Sequence, residues 1–244
     1  MRYNGCDIKW VWLDLDDTLV DFTLNSHKAL DRLYAEEGLG QWFADADTWR
    51  SCYEGHNHSL WEQLSRGEIT SDFLRMERFR RPLTDAGVDN DTAVGLSKRF
   101  DPLYLDFLAQ EKATVCGTFD LLEHLHAACV NVGVLSNGFA DIQHRKMHNT
   151  GIAPFIDLTV LSDDIGIAKP DIRLYKHAME RTGCTDATAH LMIGDNPDTD
   201  IAGALRAGWH GILLQPQHGE KRKTPPEGAE SADTLADVLS LLSI

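Results

Sequence analysis

The chain has 244 residues, a quarter of them charged, and a formal net charge of −15. That charge argues against a nucleic acid polymer or an anionic membrane as the main partner, because phosphate backbones and acidic lipids need a basic face. Five scattered cysteines (Cys6, Cys52, Cys116, Cys129, Cys184) form no Cys-x-x-Cys pair, so neither a zinc knuckle nor a disulfide framework is indicated. They read as small core residues in a reducing compartment. No apolar run is long enough to span a bilayer and Met1-Arg2-Tyr3 passes straight into the first predicted strand, so the chain is expected in the cytoplasm.

The first strand is predicted from the apolar run Ile8-Lys9-Trp10-Val11-Trp12-Leu13, which leads into Asp14-Leu15-Asp16-Asp17-Thr18-Leu19. A strand buried on both faces reads as a nearly unbroken apolar run, and open α/β sheets bind ligands beyond the carboxyl ends of such strands. Like charges about 4 Å apart repel by roughly 4 kcal/mol at an effective dielectric near 20. Aspartates held that close call for a hard divalent cation with oxygen ligands, most simply Mg²⁺. Taken alone, the string could equally be a turn and a helix cap.

From Asp21 to Lys112 the character changes to segments rich in Arg, Glu, Leu and Trp at helical spacing, without β-branched runs. This predicts a helical cap over 21–111, inserted into a core made of 1–20 and 112–244. Both connections would leave beside the aspartates, so the cap could act as a lid. Aromatic and imidazole side chains of the cap that could touch a substrate are Tyr53, His56, His58 and Trp61, although an aromatic at helical spacing is more often core. Beyond the cap, short apolar runs alternate with amphipathic stretches. Strands are predicted over Val132–Leu135, Leu158–Leu161, His190–Ile193 and Gly211–Leu214. Helices are predicted over Phe119–Cys129, Asp141–Thr150, Ile172–Thr182, Thr199–Ala207 and Thr234–Leu242, with Gly183 and Gly208 as C-caps. The rhythm implies βαβ units and a parallel sheet: a Rossmann-like three-layer α/β core with an inserted helical cap. The segment Gln215–Ser231, with Lys221-Arg222-Lys223 and Pro225-Pro226, reads as a polar surface loop.

Three later strand ends repeat the pattern of the first. One carries Ser136-Asn137-Gly138, a hydroxyl and amides opening a helix, which could bind an anion or merely cap. Another leads to Lys169-Pro170, and a third to Gly194-Asp195-Asn196-Pro197-Asp198-Thr199-Asp200. Each has a bland reading of its own. Their succession supplies a cation site, an anion cradle, a fixed ammonium and a nucleophile, which is the inventory for phosphoryl transfer.

These four motifs resemble those of the haloacid dehalogenase superfamily, and the resemblance covers the whole chain. It implies that Asp14 attacks phosphorus, that Asp16 acts as acid and then base, and that Ser136 and Asn137 bind the phosphoryl group while Lys169 stabilises its charge. It further implies Mg²⁺ held by Asp14, Asp195 and the Asp16 carbonyl, with Thr18, Gly138 and Asp200 in support. Dehalogenases lack the second aspartate, so Asp16 favours a phosphatase. The matches Leu60-Trp61, Gly67-Glu68-Ile69-Thr70, Arg78-Phe79 and Ser136-Asn137-Gly138-Phe139 are similar to the pyrimidine 5'-nucleotidase branch, whereas Cys116-Gly117 replaces the usual Pro-Gly. The expected substrate is a nucleoside monophosphate, and the expected state a monomer or homodimer. The alternatives are a phosphatase of sugar phosphates or phosphoglycolate, or an idle phosphate sensor.

Overall fold

The computed structural model describes residues 1–218 and 221–242. They form two compact units, one of residues 1–23 with 112–244 and one of residues 24–111. The chain opens with a hairpin, β1 (Arg2–Tyr3) and β2 (Cys6–Asp7), around Asn4-Gly5. Both turn residues have positive φ, the conformation that makes Asn-Gly the preferred two-residue hairpin turn. β3 (Trp10–Leu13) follows, and then the helices α1 (Phe22–Glu36), α2 (Ala46–Ser65), α3 (Ser71–Asp85) and α4 (Asn90–Gln110). The chain continues through α5 (Thr118–Ala127), β4 (Asn131–Ser136), α6 (Ala140–Thr150), β5 (Leu158–Leu161), α7 (Ser162–Ile165) and α8 (Ile172–Thr182). It ends with β6 (His190–Gly194), α9 (Ala202–Arg206), β7 (His210–Leu214), β8 (Glu230–Ala232) and α10 (Leu235–Leu241).

Six strands form one parallel sheet in the order β5-β4-β3-β6-β7-β8. Alternation along each strand divides the core in two. Val11, Leu13, Val132, Val134, Leu191 and Ile193 pack with Leu121, Leu125 and Val238 of α5 and α10. Trp12, Leu135, Val160 and Met192 pack instead with Leu174, Tyr175 and Ala204 of α8 and α9. Helices therefore cover both faces, as the apolar strands require, and each large side chain so buried contributes about 1.5–3 kcal/mol. This bears out the expected three-layer α/β core. No helix among the described residues is long and apolar enough to cross a membrane.

Several local expectations need correction. The 215–231 segment is not all loop, since Glu230–Ala232 adds the edge strand β8 to β7; three residues with one buried alanine leave too little periodicity to read. The helix expected over 199–207 starts as a π-helical turn, Pro197–Ile201, because the Asn196 side chain accepts from the amides of Asp198 and Thr199 and Asp200 turns inward. The helix over 119–129 stops at Ala127, with Cys129 at φ 53°. Cys116 and Cys129 are exposed rather than core residues.

In the helical unit, Asp45, Thr70 and Asp89 cap α2, α3 and α4 through side-chain oxygens that accept backbone N–H groups of the first turn. Its core is aromatic: Trp49, Tyr53, Phe79, Phe100 and Tyr104 are all buried, with the Tyr53 and Phe79 rings 5.0 Å apart. Beside them lies a charge cluster. Asp101 accepts from Arg75 Nε at 2.7 Å and from Arg78 Nε at 3.0 Å, while Glu77 pairs with Arg80 and Arg81.

Candidate active site

Register brings the strand ends together. Leu13 lies beside Val134 on one flank and beside Ile193 on the other, so Asp14 stands at the height of Leu135 and Gly194. The chain runs from β3 to β4 and β5 on one side, then crosses to β6 on the other, which makes the end of β3 the topological switch point. After Asp14 a tight turn reverses the chain through the bonds Leu19 N to Leu15 O (3.0 Å) and Asp17 N to Val20 O (2.8 Å). Asp17 caps α1, its carboxylate accepting from Thr23 N and Oγ1 at 2.9 and 3.0 Å. Thr18 is fully buried and its hydroxyl has no hydrogen-bond partner among the described residues, so the support it lends the turn there is by packing.

The carboxylates of Asp14, Asp195 and Asp200 offer oxygens within 4.8 Å of one another. Lys169, itself buried, donates from Nζ to Asp14 Oδ1 at 2.6 Å and to the Leu135 carbonyl at 2.8 Å, and lies 2.7 Å from Asp200 Oδ1. Its backbone is held by Asn137, whose Nδ2 donates to the Lys169 carbonyl and whose Oδ1 accepts from Lys169 N. The Asn137 side chain thus fixes the lysine loop. Asp200 Oδ2 accepts from Asn196 N at 3.0 Å and leaves no room for a side chain at Gly194, where a Cβ would stand 2.4 Å from that oxygen.

Burial pushes the Asp14 carboxyl well above the ordinary carboxylate range; Lys169 opposes the rise, while Asp200 and Asp195 add to it. Asp195 is raised in the same way, by burial and then by Asp200. Burial disfavours the Lys169 ammonium, yet Asp14 and Asp200 outweigh it and hold the lysine protonated. Three carboxylates that repel one another and are short of positive charge form a hard oxygen donor set, which fits a divalent cation such as Mg²⁺.

Asp16 is not part of this cluster. Its Oδ1 pairs with Lys146 Nζ at 2.7 Å and its Oδ2 accepts from Gln143 Nε2 at 3.0 Å. Gln143 Nε2 also donates to Ser136 Oγ at 2.7 Å. Gly138 leaves space for this amide, because a Cβ there would lie 2.3 Å from Gln143 Nε2. Ser136 Oγ accepts a second bond from Gly138 N at 3.2 Å, so its own proton is left for another acceptor. Gln143, Lys146 and Lys223 escaped the sequence reading. The first two sit three apart on α6 among its buried residues Ile142 and Met147, and that polar break in an apolar stripe was the available signal. Lys223 had none: it comes from the expected surface loop, yet its Nζ donates to Asp195 Oδ2 at 2.9 Å and to the Asp195 carbonyl at 3.0 Å.

The four cap residues have different surroundings. Tyr53 is 1% exposed and spent on the aromatic core of its own unit, which corrects its candidacy as a substrate contact. His56 Nε2 meets Asp85 Oδ2 at 2.7 Å, His58 is exposed and 3.4 Å from Glu62, and Trp61 is half-buried.

A family model described as haloacid dehalogenase-like hydrolase matches residues 8–208. The pyrimidine 5'-nucleotidase YjjG of Escherichia coli is 27% identical over 232 residues, 95% of this chain and 95% of that protein. The pyrimidine 5'-nucleotidase PynA of Streptococcus pneumoniae is 31% identical over 212 residues, 87% of this chain and 86% of that one. A crystal structure of YfnB from Bacillus subtilis bound to magnesium shares the fold, with a TM-score of 0.84 at 24% identity over 98% of this chain and 100% of that one. With a family match that takes in every strand end of the site, the chain belongs to the haloacid dehalogenase-like hydrolases.

Proposed function

We propose that the protein is a Mg²⁺-dependent phosphomonoester hydrolase working through a phosphorylated Asp14, and that its substrates are pyrimidine nucleoside monophosphates. The observation that carries the chemistry is the buried contact of Lys169 with Asp14, 2.6 Å, beside the carboxylates of Asp195 and Asp200. Asp14, Asp195 and the Asp16 carbonyl would hold the cation, which when bound neutralises phosphate oxygens and so admits an anionic nucleophile. Lys169 adds a fixed positive charge at the same place, and Ser136 offers its hydroxyl proton to a phosphoryl oxygen. As the bond from Asp14 to phosphorus forms, the bond to the leaving oxygen breaks, and that oxygen takes a proton from Asp16. Water then attacks phosphorus, gives its proton to Asp16 and releases Asp14 and inorganic phosphate.

The pyrimidine preference is supported by the two nucleotidase relatives, which match the chain over most of its length. A panel of UMP, dUMP, dTMP, sugar phosphates and phosphoglycolate, each with and without Mg²⁺, tests both levels. The pyrimidine nucleotides should show the highest kcat/KM. A preference for sugar phosphates would remove the nucleotidase reading and leave the phosphatase standing, whereas no turnover of any ester by folded protein with Mg²⁺ would favour a phosphate sensor.

A further inference from the structure

Lysine is seldom buried unless something in the fold holds it there. Lys146 is 4% exposed on α6, and the groups that hold it are Asp16 at 2.7 Å and the face of the Phe22 ring, 4.8 Å from Nζ to the centroid. Burying an ammonium costs several kcal/mol even when it is paired, so an apolar residue would make a more economical helix face. Gln143 presents the same puzzle. At 1% exposure it divides the two hydrogens of one amide nitrogen between Asp16 Oδ2 and Ser136 Oγ. Together the two side chains engage both oxygens of Asp16, and they do so from sequence separations of 127 and 130 residues.

We propose that Gln143 and Lys146 are positioning residues that fix the Asp16 carboxyl relative to the phosphate cradle. Lys146 anchors Oδ1, and Gln143 ties Oδ2 to the Ser136 hydroxyl, so that the group exchanging protons with the leaving oxygen and with water is aligned with the group gripping phosphate. The inference rests on the acid and base role proposed for Asp16. That role matters most for a leaving group that departs badly without a proton, and for the second step, where water must lose one.

The test compares an alkyl ester, UMP, with p-nitrophenyl phosphate, whose leaving group departs readily unprotonated, in the wild type and in Lys146→Met, Lys146→Arg, Gln143→Met and Asp16→Asn. Lys146→Met and Gln143→Met should lower kcat on UMP by about 10- to 100-fold, part of the full acid–base contribution, with little change in KM. With p-nitrophenyl phosphate they should release the first equivalent of nitrophenol in a burst, because phosphorylation of Asp14 survives while its hydrolysis slows. Lys146→Arg should recover most of the loss. Equal losses on both esters with no burst, or a rise in KM alone, would overturn the proposal. If Lys146→Met does not fold, judged by circular dichroism, Gln143→Met carries the same comparison. Asp16→Asn separates the two readings. If it shows neither ester selectivity nor a burst, the acid and base role itself fails; if it shows both while the α6 variants show neither, only the positioning role fails.

Discussion

The protein contains two buried charge clusters that are built on opposite terms. In the helical unit Asp101 faces two arginines, Arg75 and Arg78, and Glu77 faces two more, Arg80 and Arg81. Every buried carboxylate there is answered, and the arginine hydrogen bonds hold the Glu77 carboxyl below its ordinary range. At the end of β3, Asp14 and Asp200 share Lys169 while Asp195 has Lys223, and both Asp14 and Asp195 are pushed up. Where one unit answers its charges and the other leaves them under-answered, the second cluster is the one that a group bringing positive charge would stabilise. The compensated cluster is structural, and removing a partner from it should only cost stability. The uncompensated one should trade stability for function.

Asp14→Asn should break the comparison most visibly. Turnover of p-nitrophenyl phosphate should fall by at least about a thousand-fold. The metal-free protein should meanwhile melt roughly 2–4 °C higher, through relief of about 1 kcal/mol of repulsion. Loss of both activity and stability would contradict the assignment of strain to this cluster. Asp101→Asn should do the reverse, lowering the free energy of urea unfolding by about 3–5 kcal/mol, because the buried Arg78 loses the carboxylate charge it donates to. Its folded fraction should keep the carboxylate cluster at the end of β3 intact, read as Mg²⁺ binding. Adding Mg²⁺ at a hundred times its Kd should raise wild-type stability by about 2.7 kcal/mol in a thermal or urea melt. Asp195→Asn should abolish that gain and Asp101→Asn should keep it.

The smallest effect comes from a third polar contact, which belongs to neither cluster. His190 accepts the Trp12 Nε1 hydrogen on Nδ1 at 3.0 Å, and its Nε2 is 3.0 Å from the Cys184 carbonyl, a pairing that requires the neutral ring. Burial lowers its pKa below the ordinary 6.5. A lowered histidine pKa gives stability that is present above the ordinary value and is lost as the pH falls below it. Stability should therefore decline as the pH falls below 6.5, and His190→Gln should flatten that decline in urea melts at pH 5–7.

Much of the architecture was legible because it is written in short-range patterns. Leu158–Leu161 and Ile172–Thr182 have the boundaries their periodicity predicts, and the parallel sheet follows from the alternation of such segments. Tyr53 shows the opposite limit, since its helical spacing is compatible with either a surface or a core position and only its packing against Phe79 and Tyr104 decides. Lys223 was unreadable for a related reason: a basic tripeptide between glycines and prolines looks solvated until the return toward β8 carries one ammonium to Asp195.

By itself the sequence determined which residues could end strands and what chemistry they carried, since burial periodicity and side-chain type are properties of a residue and its near neighbours. Tertiary structure alone decided that Leu13 pairs with Val134 and Ile193 in a register that lines up Asp14, Ser136 and Asp195. It also decided that Gln143 and Lys146 of a helix more than a hundred residues away turn inward onto Asp16. Register and helix rotation are set by the packing of the whole sheet: a shift of one residue along a strand would send its side chains to the other face, and one along α6 would turn Gln143 and Lys146 by about 100°.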